Sequence, residues 1–199
     1  MAQAGLSGTQ MMRHILSKCA DVLENISLWV GQRAAWASVA MMLVIISDVI
    51  LRRYFVIGST RLQEMEWHIH GFLFLMTLGY GYAHGAHVRI ELFREKWSER
   101  RKAWIELIGG VFFLIPYCVA IIWFGWDYTA MSFANNESSA TATGLPYRWI
   151  IKGVLVVGFV LLLMNAISVV IRSALWLIAG DEGAHDKLAP ELSDDQKTV

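Results

Sequence analysis

The sequence predicts an all-α membrane protein: four transmembrane helices preceded by an amphipathic interfacial helix, with both termini on the cytoplasmic side. Three observations lead there. The 199 residues are 56% hydrophobic and 17% charged, whereas soluble domains run at about 45–50% and about 25%. Apolar, nearly uncharged runs recur four times, each able to supply much of the roughly 20-residue helix a bilayer core requires. The basic residues are unevenly shared among the connectors, and that bias orients membrane segments.

Residues 1–10 are small and polar and read as a flexible N-terminus. From residue 11 to about 28 a helical period appears. Met12, Ile15, Leu16, Cys19, Val22, Leu23, Ile26 and Trp29 line one face, and Arg13, His14, Ser17, Lys18, Asp21, Glu24 and Asn25 the other. That is an amphipathic helix suited to the membrane interface or to a partner. A cleaved signal peptide would carry an apolar core where this polar stripe stands.

The first span is placed at about 29–54. Asp48 and Arg52 lie four apart within it, on one helical face, and read as a boundary ion pair. A short connector with Gly58 leads to a second span at about 64–86. Glu64 and Glu66 stand at its start, where a helix dipole favours acidic groups. Thr77, Gly81 and Gly85 recur every fourth position, a small-xxx-small face that admits close helix packing.

Residues 84–102 form a basic connector with Arg89, Arg94, Lys96, Arg100, Arg101 and Lys102. A third span follows at about 103–128, with Pro116 predicting a kink. The polar loop 129–144 has no basic residue, and Pro146 is expected in the first turn of a fourth span at about 146–178. Residues 180–199 carry two lysines against six acidic groups and no aromatic residue, and read as a solvated, disordered tail.

Four spans place both termini on one side. That side then holds Arg13, Lys18, Arg33, the six basic residues of the connector and Arg172, and the opposite side Arg52, Arg53, Arg61, Arg148 and Lys152. The bias puts both termini in the cytoplasm. Eight of the nine tryptophans, Trp97 aside, fall where this layout wants water–lipid interfaces.

Little in the chain reads as chemistry. There is no Gly-rich phosphate loop, CxxC pair or HExxH pattern, and Cys19 and Cys118 do not form a disulfide framework. No catalytic, cofactor or metal residue is assigned. The basic connector lies beside a membrane span, where topology and anionic lipid account for it and no nucleic-acid partner is implied. His68, His70, His84 and His87 lie on or beside one helix. The rival reading is a haem-bearing membrane anchor of a respiratory oxidoreductase, its second ligand supplied by another helix. Four spans with no internal repeat and few deep polar groups do not make a transport pathway. The chain reads as an accessory or scaffold subunit whose faces await another membrane protein.

Three stretches resemble a known family. They are Glu64-Met65-Glu66-Trp67, His87-Val88-Arg89-Ile90-Glu91, and Gly144-Leu145-Pro146-Tyr147-Arg148-Trp149 with Lys152. In this order, and with the four-span layout, they are similar to the small membrane subunit of tripartite ATP-independent periplasmic (TRAP) transporters, over about residues 23–177. Glu91 departs from the family pattern, which commonly has Asp there.

The resemblance implies a subunit of the bacterial inner membrane that partners a larger membrane subunit, a periplasmic solute-binding protein and membrane lipid. Sodium and the solute, usually an organic acid, would be bound by the large subunit, with no cofactor in this chain. Thr77, Gly81, Gly85 and Glu66 would serve helix or subunit packing. His87, Arg89 and Glu91 would make specific contacts where span two leaves the membrane. Arg52, Arg53, Arg148 and Lys152 would lie on the periplasmic side, near lipid headgroups or the docked binding protein.

Overall fold

The structure, a computed structural model, describes residues 8–84 and 97–179. Residues 1–7, the tail from residue 180, and residues 85–96 with Gly85, His87, Arg89 and Glu91 lie outside the described residues. Among those described, the chain is all helical: α1 (Gly8–Ala34), α2 (Ala37–Tyr54), α3 (Thr60–Ala83), α4 (Glu99–Gly109), a π-helical turn (Gly110–Leu114), α5 (Ile115–Ala134) and α6 (Trp149–Ala179). Three helical stretches are long and apolar enough to cross a membrane: Gln10–Tyr54, Arg100–Ala134 and Trp149–Ile178. The α3 helix is less apolar because its first turns carry Arg61, Glu64, Glu66, His68 and His70.

Side-chain register gives the directions of the helices. Edge-on ring pairs of Phe133 with Trp149 and of Tyr117 with Phe159 run α5 antiparallel to α6. The α3 helix runs parallel to α6, since Gly71 faces Ile151, Gly158 faces Leu75, and Gly79 faces Asn165. The α2 helix packs on α3 across the five-residue connector 55–59, and so runs antiparallel to it. The bundle therefore has two ends. One gathers the connector 55–59 and the loop 135–148, and the other gathers the last turns of α3 and α6 and the start of α4.

The α6 helix is central, packed by α1, α3, α4 and α5. The apolar core is small: Ala34, Met76 and Leu161, flanked by Val30, Phe72, Val154 and Met164. Small residues do much of the rest. A Cβ on Gly158 would lie 2.7 Å from the Leu75 carbonyl oxygen, and one on Gly31 2.5 Å from Tyr80 Cβ. Close backbone approach with interhelical hydrogen bonds is how helices associate where lipid removes the hydrophobic drive.

The amphipathic α1 helix presents its faces in an informative way. Ala20, Ser27, Gly31 and Ala34 are buried, while Met11, Met12, Ile15, Val22, Ile26 and Trp29 are exposed. The inward seam is thus small and polar, and the apolar stripe faces out. Contacts seven residues apart on α1 (Ala20, Ser27) meet residues three apart on α6 (Ser168, Asn165). With a rise of about 1.5 Å per residue, α1 must cross α6 obliquely.

Some boundaries differ from the sequence reading. The helix break falls at Ala35–Trp36, not near residue 28, because Gly31 and Ala34 keep α1 docked on α3 and α6. Pro116 is accommodated by the π-helical turn, where the Ile115 N–H donates to the Gly110 carbonyl, so the turn is widened ahead of the ring. Pro146 precedes α6 by three residues instead of opening it. The following Tyr147 has φ 62°, a left-handed conformation that cannot continue into a right-handed helix.

Candidate functional site

The densest polar construction closes the end of the bundle that holds the loop 135–148. Ser59 caps α3, its Oγ accepting from the Leu62 N–H at 3.4 Å. One turn on, the Glu64 carboxylate receives three donors from the loop. The Leu145 N–H reaches Oε2 at 2.6 Å, Thr141 Oγ1 reaches Oε1 at 3.2 Å, and Ser139 Oγ also donates to Oε1. Arg61 Nε donates to the Thr143 carbonyl at 3.2 Å.

The loop is folded to suit. The Ser139 N–H donates to the Leu145 carbonyl at 3.0 Å, and the Gly144 N–H to the Thr141 carbonyl at 3.1 Å. A Cβ on Gly144 would overlap Ser139, so only glycine fits this turn. Its far side is tied to α6: the Arg148 N–H donates to the Glu137 carbonyl at 3.0 Å, and Lys152 Nζ meets Glu137 Oε2. Lys152 Nζ also sits 3.7 Å from the centre of the Tyr128 ring on α5. The Lys152 hydrogen bond is the first reason the Glu137 carboxyl is held below the usual carboxylate range.

This construction joins two motifs that are far apart in sequence. The Glu64–Trp67 stretch and the Gly144–Trp149 stretch meet through Glu64 and Leu145. Chemically the arrangement holds a loop: its carboxylates are occupied by donors from the chain itself. Among the described residues no group of three or more His, Cys, Asp or Glu is placed to hold a metal.

A second polar seam fastens α1 on the other half of the bundle. Asn165, fully buried on α6, donates from Nδ2 to Ser27 Oγ at 2.7 Å and to the Gly79 carbonyl at 2.8 Å. One side chain thereby ties α6 to α1 and α3. Nearby, Ser168 Oγ donates to the Ala20 carbonyl at 3.0 Å. Arg172 closes the seam on Asp21, at 2.9 Å, and on Glu24.

The residues singled out from sequence fall in several places. Arg52 pairs with the buried Asp48, as the spacing predicted. Arg53 is exposed, and Arg148 is half-buried with its charge close to both Glu64 and Glu137. Lys152 is turned into the chain by Glu137 and Tyr128. Thr77 donates to the Leu73 carbonyl of its own helix at 2.7 Å, and Thr77 and Gly81 are half-buried. Glu66 is half-buried and makes no ion pair among the described residues. A closer glycine approach on α3 than at Gly71 is found at Gly79, where a Cβ would overlap Ser27 Oγ.

Two of the histidines bond to carbonyls of their own helix. His68 Nδ1 lies 2.6 Å from the Glu64 carbonyl, and His84 Nδ1 lies 3.0 Å from that of Tyr80, with its ring stacked on Tyr80. Sequence reasoning did not assign the roles of Glu64, Ser27, Asp21 and Glu24. The available signals were a lone amide, Asn165, inside an apolar run and a lone cation, Arg172, at its end.

Comparison with known proteins gives one finding. A family profile described as tripartite ATP-independent periplasmic transporters, DctQ component, matches residues 41–175. No curated protein and no solved structure matches the chain. The matched region holds α3, α5 and the loop clasp between Glu64 and Leu145, together with most of α2 and α6. The chain belongs to the DctQ family of TRAP transporter components.

Proposed function

We propose that this chain is the non-catalytic small subunit of a sodium-coupled, binding-protein-dependent importer of organic acids. It anchors the large transport subunit as a scaffold and helps dock the periplasmic binding protein. In this reading α2, α3, α4–α5 and α6 cross the bacterial inner membrane with both termini in the cytoplasm. The α1 helix lies obliquely at the cytoplasmic interface, and the loop 135–148 faces the periplasm. Sodium and solute belong to the large partner.

The family membership carries the proposal. Two features support the scaffold role. The helices alternate in direction, and the loop facing away from the basic connector contains no Lys or Arg between Thr129 and Gly144. The polar groups of the two seams bind partners within the chain, leaving broad apolar faces on α2 and on the π-helical turn with α5, where Met42, Leu43, Ile46, Phe112, Phe113 and Phe124 are all exposed. Such faces suit lipid and a large membrane partner. The four-residue spacing of Thr77, Gly81 and Gly85 in the sequence suits close packing on that partner, and Glu66 offers it a half-buried carboxylate.

Affinity purification of the tagged chain from its native membrane, in mild detergent, tests the proposal. The expected result is a much larger membrane protein retained in stoichiometric amount. Retention of no larger membrane protein from the native membrane would overturn the scaffold reading.

A further inference from the structure

At the end of α2 the chain makes a short tip, 54–57, with the sequence Tyr-Phe-Val-Ile, and all four side chains are exposed. Val56 is 88% exposed and has φ 54°. Left-handed backbone is a genuine outlier for a β-branched residue, and glycine would hold the same turn without that strain. The turn thus presents an apolar side chain where the backbone alone would ask for none.

Two backbone donors of the tip are satisfied within the chain. The N–H groups of Phe55 and Ile57 both donate to the Leu51 carbonyl, each at 3.1 Å. The apolar surface continues along α2 through Val49 and Ile50, which are also exposed. Its margin is basic: Arg53 is exposed, and Arg61 stands at the start of α3. The nearest acidic group in sequence, Asp48, is buried and taken by Arg52. Tyr54 on α2 and Trp67 on α3 are both largely exposed, and such rings favour the headgroup level of a bilayer.

We propose that the tip 54–57 is a membrane-interface anchor, its apolar side chains seated at the boundary of the acyl region and Arg53 among anionic headgroups. The proposal rests on the reading that α2 spans the bilayer. It commits to lipid over the binding protein because the apolar tip continues the exposed face of α2 and its basic margin complements anionic lipid.

The test uses the full chain with Cys19→Ser and Cys118→Ala, labelled with an environment-sensitive fluorophore at Val56→Cys or at Leu43→Cys. It is reconstituted in phosphatidylcholine vesicles with or without phosphatidylglycerol. Brominated lipids and aqueous iodide report depth. The expected result at Leu43→Cys is quenching by deep bromines. At Val56→Cys it is blue-shifted emission, quenching by shallow bromines over deep ones, and a stronger effect with phosphatidylglycerol that Arg53→Gln removes. A water-like, iodide-quenched label at 56 with a deep label at 43 overturns this proposal alone. Water-like labels at both positions overturn the spanning reading together with it. A label at 56 that shifts only when the periplasmic binding protein is added makes the tip a protein-docking surface, and also overturns the proposal.

Discussion

Asn165→Ala is the most informative perturbation of the seam. The amide is fully buried and its two hydrogen bonds, 2.7 Å to Ser27 Oγ and 2.8 Å to the Gly79 carbonyl, each cross to a different helix. Interhelical hydrogen bonds in membrane proteins average about 0.6 kcal/mol and reach about 1.7 kcal/mol. The two together put the loss for Asn165→Ala at about 1–3 kcal/mol. Ser27→Ala removes only one of them, about 0.6–1.7 kcal/mol. Once Asn165 is gone that bond no longer exists, so the double variant should be less destabilised than the sum by about the energy of the shared bond.

Unfolding of the purified chain in mixed micelles with rising sodium dodecyl sulfate, followed by circular dichroism, gives the four free energies of the cycle. Disulfide cross-linking of Ala20→Cys to Ser168→Cys, in a Cys19→Ser background, reports separately whether α1 stays docked. Additivity of the two substitutions within about 0.3 kcal/mol would refute the claim that Asn165 and Ser27 hold α1 to α6.

Other outcomes follow from the same contacts. Gly79→Ala forces a Cβ against Ser27 Oγ and to 2.9 Å from Asn165 Nδ2, and should cost about 1–3 kcal/mol. Gly58→Ala, with nothing within 4 Å, should be neutral in the same titration. Glu64→Gln weakens the acceptor for three loop donors and should raise protease cleavage in 135–148, while an unchanged rate would remove Glu64 from the clasp. The Glu137 carboxyl is depressed in the folded state, first by the Lys152 hydrogen bond. Its contribution is therefore complete above the ordinary carboxylate pKa and fades as pH falls through the lower folded value. Hydrogen-exchange protection of the loop, corrected for intrinsic rates, should fall in that acidic window, and Glu137→Gln should reduce the response without abolishing it, since the Glu64 carboxylate also holds the loop. Reversing the charge of Arg89 should lower recovery of the complex with the large subunit, whereas exchanging Lys and Arg within 94–102 should leave it unchanged.

The sequence alone determined the class of the molecule, an all-helical chain with long apolar segments. Apolar runs in α2, α5 and α6 are long, and long runs leave little alternative to a membrane helix. The same holds for local pairs: Asp48 and Arg52 are four apart on one helix, so their meeting needed no knowledge of the fold. It also supplied the motifs around Glu64 and Leu145, but as separate stretches. Only the tertiary structure decided that they touch, because a separation of 81 positions between Glu64 and Leu145 carries no distance information. The choice of Glu64 over Glu66 as the clasp, the turning of Lys152 toward Glu137, and the docking of α1 through its small polar seam were decided there too. Periodicity shows which residues share a face, but which face turns inward depends on what the neighbours offer. Here α6 offers a buried amide and a guanidinium, so the Ser27, Asp21 and Glu24 side of α1 went in and its apolar stripe stayed out.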